Sequence, residues 1–245
     1  MDMVLLSIVS LAVFASTAFQ AVAGFGYAIV AAPILVPLLG VKETVVFLLV
    51  GSIYMRIYMM YSVRHDFHFD MVKRIFAGAM VGAVPGSLFL RNVDAKGLEI
   101  LLGISLILAV IFLSFNFRWH TGHPHWEQFC FGIMGGFFNA STAIGGPVIV
   151  LYMLNAQVPK VEMRANLTLY FFISNLWSMT IWFLMGNITW HNLVGLPMWT
   201  LPASFLGVYV GNKIFRYVNQ HLFNRIAVLL ILFCAINMII KALSK

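Results

Sequence analysis

Gln20-Ala21-Val22-Ala23-Gly24-Phe25-Gly26-Tyr27 and Asn139-Ala140-Ser141-Thr142-Ala143-Ile144-Gly145-Gly146-Pro147 are the two stretches whose reading decides the fold of this 245-residue chain. Each interrupts a long hydrophobic segment. Glycine, lacking a Cβ, lets the backbone leave helical geometry, and Pro147 suits the first turn of a new helix because it has no N–H to lose. Around the interruptions, apolar segments cover 4–23, 28–39, 44–63, 72–90 and 98–115, then 129–140, 147–154, 165–185, 193–215 and 222–240. Runs of about 20 apolar residues are long enough to cross roughly 30 Å of hydrocarbon. With 62% of residues hydrophobic and 9% charged, too little polar surface remains to coat a soluble globule. The expected fold is therefore all-α, a polytopic transmembrane bundle of eight to ten membrane segments with a Gly-rich helix break near the start of each half.

The two halves overlay. Phe19-Gln20-Ala21 falls on Phe138-Asn139-Ala140 and Gly26 on Gly145, a shift of 119 (138 minus 19), which also places Glu43 on Glu162 and Arg56 on Asn175. A shift of 125 (207 minus 82) matches Gly82, Gly86 and Arg91 with Gly207, Gly211 and Arg216, so one six-residue insertion separates the registers. The division expected is an N-terminal membrane repeat at 1–117, a connecting loop at 118–125 broken by Gly122 and Pro124, and a C-terminal membrane repeat at 126–245. An even number of segments per half makes the repeats parallel, an odd number inverted. Ten segments with both termini outside put the basic connectors 64–74, 118, 160–164 and 213–225 in the cytoplasm, as the positive-inside rule favours. The run 5–19 followed by Ala21-Val22-Ala23 has the look of a signal peptide, but Asp2 and the lack of Lys or Arg ahead of it, with a counterpart in mid-chain, favour a structural span.

Hydrophobic segments broken at matching Gly-rich positions of two halves point to a transporter binding site, because broken helices expose backbone N–H and C=O groups near the midplane. Such backbone is tolerated there only when buried in protein or lining a water-filled cavity. The bland alternative is a pair of glycine kinks or close helix crossings. Helices restarting near Ala28 and Pro147 would aim amide groups and positive dipole ends at one locus, the way helices hold oxyanions. The backbone of Gly24, Gly26, Tyr27, Gly145 and Gly146 and the side chains of Gln20, Asn139, Ser141 and Thr142 would surround it.

These residues carry a resemblance. Gly24-Phe25-Gly26 with Pro33, Gly145-Gly146-Pro147, and the pairs Gly82/Gly86 and Gly207/Gly211 resemble the sulfite exporter TauE/SafE family over essentially the whole chain. The resemblance implies a multi-spanning transporter of sulfite, sulfonates or similar small anions. Tyr27 and Ala28 stand where a run of glycines is common in that pattern, and Tyr152 stands where the first half has Pro33.

Arg56 lies twelve residues after Thr44 and eight before Arg64, about 12 Å of helix from the nearer end. An ionisable residue at such depth is a functional candidate, whereas snorkelling beside Tyr58 and Tyr61 is the structural alternative. Its counterpart Asn175, with Asn166, Thr168 and Ser174, loads one helix with polar side chains that either line a permeation route or join helices. Glu43 and Glu162 read as proton carriers or, more simply, as first-turn carboxylates favoured by the helix dipole. Arg91 and Arg216 read as interface anchors.

Several functions lose support. The net charge of +7 is spread over short connectors rather than one basic face, which excludes nucleic acid. Cys130 and Cys234 sit in apolar runs and behave as small hydrophobes. His120, His123 and His125, or His65, Asp66, His68 and Asp70, invite a metal but lie in short connectors without cysteine support. No Walker loop, Gly-x-Ser-x-Gly elbow or His-Glu-x-x-His helix is present, so neither ATP-driven transport nor a familiar hydrolase is indicated. The chain reads as a non-enzymatic, cofactor-free secondary transporter in the cell membrane, working by alternating access. Its expected partners are a small anionic substrate, the lipid bilayer and a coupling proton or ion, with a homodimer left open. The rival readings are a membrane assembly factor and an intramembrane enzyme acting on lipid or a quinone.

Overall fold

The computed structural model describes residues 3–94, 97, 100, 101, 104, 124–186, 188, 195–219, 222, 225 and 229. Among these, every regular element is a helix: α1 (Met3–Ala23), α2 (Tyr27–Leu39), α3 (Val41–Val63), α4 (Phe69–Asn92), α5 (Pro124–Thr142), α6 (Gly146–Asn155), α7 (Lys160–Leu184), α8 (Leu196–Trp199) and α9 (Leu201–Phe215). The expected segments 98–115 and 222–240 lie outside the described residues except at a few isolated positions, as do connector residues 118–123 and Cys234.

Helices α1, α3, α4 and α7 are each long and apolar enough to cross a membrane, whereas α2 and α6 are short apolar helices. The surface is apolar where a soluble protein would be polar: Leu11, Val81, Leu184 and Leu206 are all more than half exposed. Polar side chains face inward instead, with Gln20, Thr44, Asn139, Asn166 and Ser178 fully or almost fully buried. Hydrocarbon is the medium that stabilises such a surface, and the chain is an integral membrane protein.

Helix boundaries follow local chemistry. After α1 the backbone turns left-handed at Gly24 (φ 79°) and Gly26 (φ 101°), and α2 starts at Tyr27, one residue earlier than expected. After α5 the left-handed residue is Ala143 (φ 60°), and α6 starts at Gly146 with Pro147 in its first turn. Gly24 and Ala143 are 119 positions apart (143 minus 24), and so are the hydrogen bonds closing the two turns, Gly24 N to Gln20 O and Ala143 N to Asn139 O. A left-handed alanine costs roughly 1–2 kcal/mol, which the surrounding packing must hold in place. Pro33 and Pro37 lie inside α2 on its exposed face, beside Ile34 and Leu38, while Ala31, Ala32 and Leu35 are buried. The segment expected at 193–215 is divided at Thr200 because Pro197 and Pro202 each remove an amide from the ladder.

Two close helix seams organise the bundle. Gly78, Gly82 and Gly86 of α4 lie against the backbone of Phe129, Ile133 and Phe137 of α5, and Gly132 and Gly136 of α5 lie reciprocally against Ile75 and Ala79. Gly207 and Gly211 of α9 lie against the backbone of Phe14 and Ala18 of α1. A Cβ at any of these glycines would overlap a carbonyl oxygen of the facing helix. Small residues at four-residue spacing allow this approach, so dispersion between backbones replaces the hydrophobic drive that lipid removes. The two seams share one register, since Ile133 and Phe137 are each 119 positions from Phe14 and Ala18 (133 minus 14, 137 minus 18). Helix α4 is thus wedged against α5, and α9 against α1.

Filling either seam is expected to force the helices apart. Gly82→Ala and Gly207→Ala should each destabilise the fold by about 1–3 kcal/mol, read as a lowered thermal midpoint in detergent, while Cys130→Ala, at an exposed position, should leave the midpoint unchanged.

Candidate functional site at the two helix breaks

The breaks meet at the centre of the bundle. Phe25 of the first packs against Gly146 of the second, where even a Cβ would touch its ring at 3.2 Å. Tyr27 lies over Gly51 of α3, which has no side chain to obstruct it. Between the breaks and the middles of α3 and α7 is a cavity of about 30 Å³, room for on the order of one or two water molecules. Its polar lining comes from Gln20, Tyr27, Ser52, Arg56, Asn139 and Asn175, and its apolar lining includes Phe25, Leu48, Ile144 and Phe171. Helices α2 and α6 both begin at its wall, where first-turn amides have no partner within their own helix.

The polar side chains divide into two groups. Gln20 bridges its own break, its Oε1 accepting from the Tyr27 amide at 2.9 Å and its Nε2 reaching the Gly24 carbonyl at 3.4 Å. Asn139, its counterpart, instead donates to Asn175 Oδ1 at 2.8 Å, and Asn175 Nδ2 donates to Ser52 Oγ at 2.5 Å. Ser52 in turn donates to the Leu49 carbonyl at 2.9 Å. This amide relay ties α5, α7 and α3 together and fixes which faces of the two asparagines point at the cavity.

Arg56 is 3% exposed, so it does not snorkel to an interface. Its guanidinium stacks 4.7 Å above the Phe171 ring, Nη1 reaches the Leu167 carbonyl at 3.5 Å, and Nε has no partner. The stack holds the group by cation–π attraction. The Tyr27 hydroxyl is likewise buried without a partner.

Seven of the twelve residues singled out in the sequence line this cavity: Gln20, Gly26, Tyr27, Arg56, Asn139, Gly146 and Asn175. The other five stand behind it or away from it. Gly24 packs against the backbone of Arg164, and Gly145 against Gly135 and Asn139. Ser141 Oγ donates to the Phe137 carbonyl, and Thr142 Oγ1 donates to the Phe138 carbonyl while accepting from the Ile144 amide across the second break. Asn166 accepts from the His68 amide at 2.8 Å and so fastens the loop between α3 and α4 to α7.

Ser52, Phe25 and Phe171 were not singled out. A one-turn spacing would have pointed to Ser52 and Phe171, since Ser52 and Arg56, like Phe171 and Asn175, are four residues apart and share a helix face. Phe25 sat inside the quoted break, but its apolar ring gave no reason to prefer it.

Glu43 and Glu162 occupy first turns of α3 and α7, and Glu162 pairs with His68 at 3.2 Å, away from the cavity. Among the described residues no group of three or more His, Cys, Asp or Glu converges; His120 and His123 lie outside them. A larger groove of about 220 Å³ beside Leu39, Glu43, Phe47 and Pro197 is lined chiefly by apolar side chains and contains no break residue.

A family model described as Sulfite exporter TauE/SafE matches residues 8–238, nearly the whole chain. No curated protein and no solved structure matches it.

Gln20→Leu would strand the Tyr27 amide in the protein interior. It is expected to cost about 1–3 kcal/mol and to accelerate hydrogen–deuterium exchange across residues 24–30, while the α4–α5 seam keeps its protection.

Proposed function

The chain belongs to the sulfite exporter TauE/SafE family and is a transporter-like membrane protein; from that premise we propose that it carries small anions, sulfur oxyanions or organosulfonates, through the cavity between the two breaks. One observation carries this reading: a buried guanidinium, Arg56, lines a cavity at which two helices begin and whose other polar groups are neutral. Cation, helix N-termini and amide donors together form an environment for a tetrahedral or pyramidal oxyanion. Asn139 and Asn175, the latter anchored on Ser52, orient the anion, and Phe25 and Phe171 flank it.

The matched registers of the breaks and seams support two repeats, 1–117 and 126–245 joined by 118–125, in a multi-pass protein of the cell membrane. Five segments in each half would make them inverted, with the site between them. In that arrangement each seam joins one half to the other, so rocking one half against its partner changes access to the breaks without dismantling the helices, which is alternating access. At about 30 Å³ the cavity would have to widen to admit the anion in such a cycle.

The test is anion binding. Arg56→Gln removes the charge, and Asn175→Asp keeps the shape of the relay while placing a carboxylate on the cavity wall. Both variants should weaken saturable sulfite binding to purified protein by about 10- to 100-fold, the equivalent of losing a charge-assisted contact of roughly 1.5–3 kcal/mol, with Arg56→Lys falling between them and the parent. Parental affinity in both Arg56→Gln and Asn175→Asp would place the anion elsewhere.

A further inference from the structure

Among the described residues, every carboxylate borne by a helix lies in a first turn: Glu43 of α3, Asp70 of α4, Glu127 of α5 and Glu162 of α7. First turns are where the helix dipole favours a negative charge, and they are also the ends of the spans. Glu43 is thirteen residues from Arg56, and Glu162 thirteen from Asn175 (56 minus 43, 175 minus 162), or about 20 Å of helix in each case. The described histidines are equally peripheral, His65 and His68 between α3 and α4 and His125 at the start of α5. Arg56 is therefore the one charged side chain among the described residues that line the cavity. Its contacts among the described residues, a ring face and one carbonyl, satisfy part of its hydrogen-bonding capacity, and no described carboxylate compensates its charge.

We infer that the coupling ion of this carrier is a second anion, so that it works as an anion exchanger; this rests on the reading of the cavity as the anion site. With a monoanion bound, the site is neutral overall and can be moved through a medium of low dielectric constant. With none bound, reorientation must carry an unpaired guanidinium through the closed state, and an unpaired charge at membrane depth is costly. A guanidinium does not shed its proton to escape that cost. Nor can proton release compensate it, because the described lining contains no carboxylic acid that would be left negative on losing a proton. The return step is consequently fast only when an anion from the opposite side occupies the site. The same balance favours a singly charged substrate, such as hydrogen sulfite or a sulfonate, over a dianion, which would leave one negative charge unmatched.

The experiment uses the full chain in proteoliposomes loaded with radiolabelled sulfite or methanesulfonate, with the membrane potential clamped at zero by potassium and valinomycin. Efflux is measured into buffer containing either unlabelled sulfite or only a large impermeant anion. Exchange predicts that external sulfite accelerates efflux about tenfold or more, the scale set by returning an unpaired charge through the membrane interior, and that collapsing an imposed proton gradient changes neither rate. Equal efflux into the two buffers, at a rate well above that of protein-free vesicles, would overturn exchange and leave the anion site standing. No efflux of either anion into either buffer would overturn exchange and, where sulfite binding is absent as well, the anion site with it. Sulfite binding to the unreconstituted protein, measured in parallel, separates a failure of the site from a failure of the return step.

Discussion

Backbone amides and carbonyls inside a bilayer must be satisfied by protein, because hydrocarbon satisfies none of them, and the rest of this structure follows from that constraint. Two chain breaks, at Gly24–Gly26 and at Ala143–Gly145, occur in the middle of hydrophobic sequence. Each survives because side chains reach across it: Gln20 takes the Tyr27 amide in the first, and Thr142 takes the Ile144 amide in the second. The breaks also shield one another, Phe25 lying against Gly146. A pair of interruptions that would be costly singly in lipid thus becomes a buried polar locus when placed together.

Holding them together is the work of the glycine seams. Because α4 is pressed against α5 and α9 against α1 at backbone distance, the helices α1 and α5 that lead into the breaks are each clamped by another helix. The buried apolar cluster around Leu48, Met55 and Trp182 adds packing but little hydrophobic drive, since lipid tails solvate leucine as well as protein does. Close packing, the Asn139–Asn175–Ser52 relay and the Arg56–Phe171 stack therefore carry the specificity of the central packing. The proposed function uses the same contacts, as the relay that joins α5, α7 and α3 also aims the amides lining the cavity.

Much of this was legible before any coordinates. Hydropathy located the described helices to within about five residues, apart from the division at Thr200, because apolar length is a direct readout of a bilayer's thickness. The two breaks were visible as glycine-rich interruptions, and the depth of Arg56 followed from counting residues along α3. Less legible was which polar residue serves a neighbour and which faces the cavity. Asn166 and Asn175 look equivalent on α7, yet one fastens the loop at His68 and the other lines the site. Ser141 and Thr142 spend their hydroxyls on the helix that bears them. Gln20 and Asn139 hold corresponding positions but bond differently, because glutamine is one methylene longer and reaches across its own break while asparagine meets α7.

The sequence by itself determined the class of molecule, the register that relates its breaks and the presence of one cation at depth, because composition, periodicity and spacing are local properties that lipid and helix geometry translate directly. Only the folded chain decided that no described carboxylate lines the cation's cavity, that Ser52 and Phe171 are its neighbours, and that five of the twelve singled-out residues stand off the lining. Those are facts of convergence. They depend on which faces of α3 and α7 turn inward, and that choice is made by backbone contact at the seams between helices far apart in the chain.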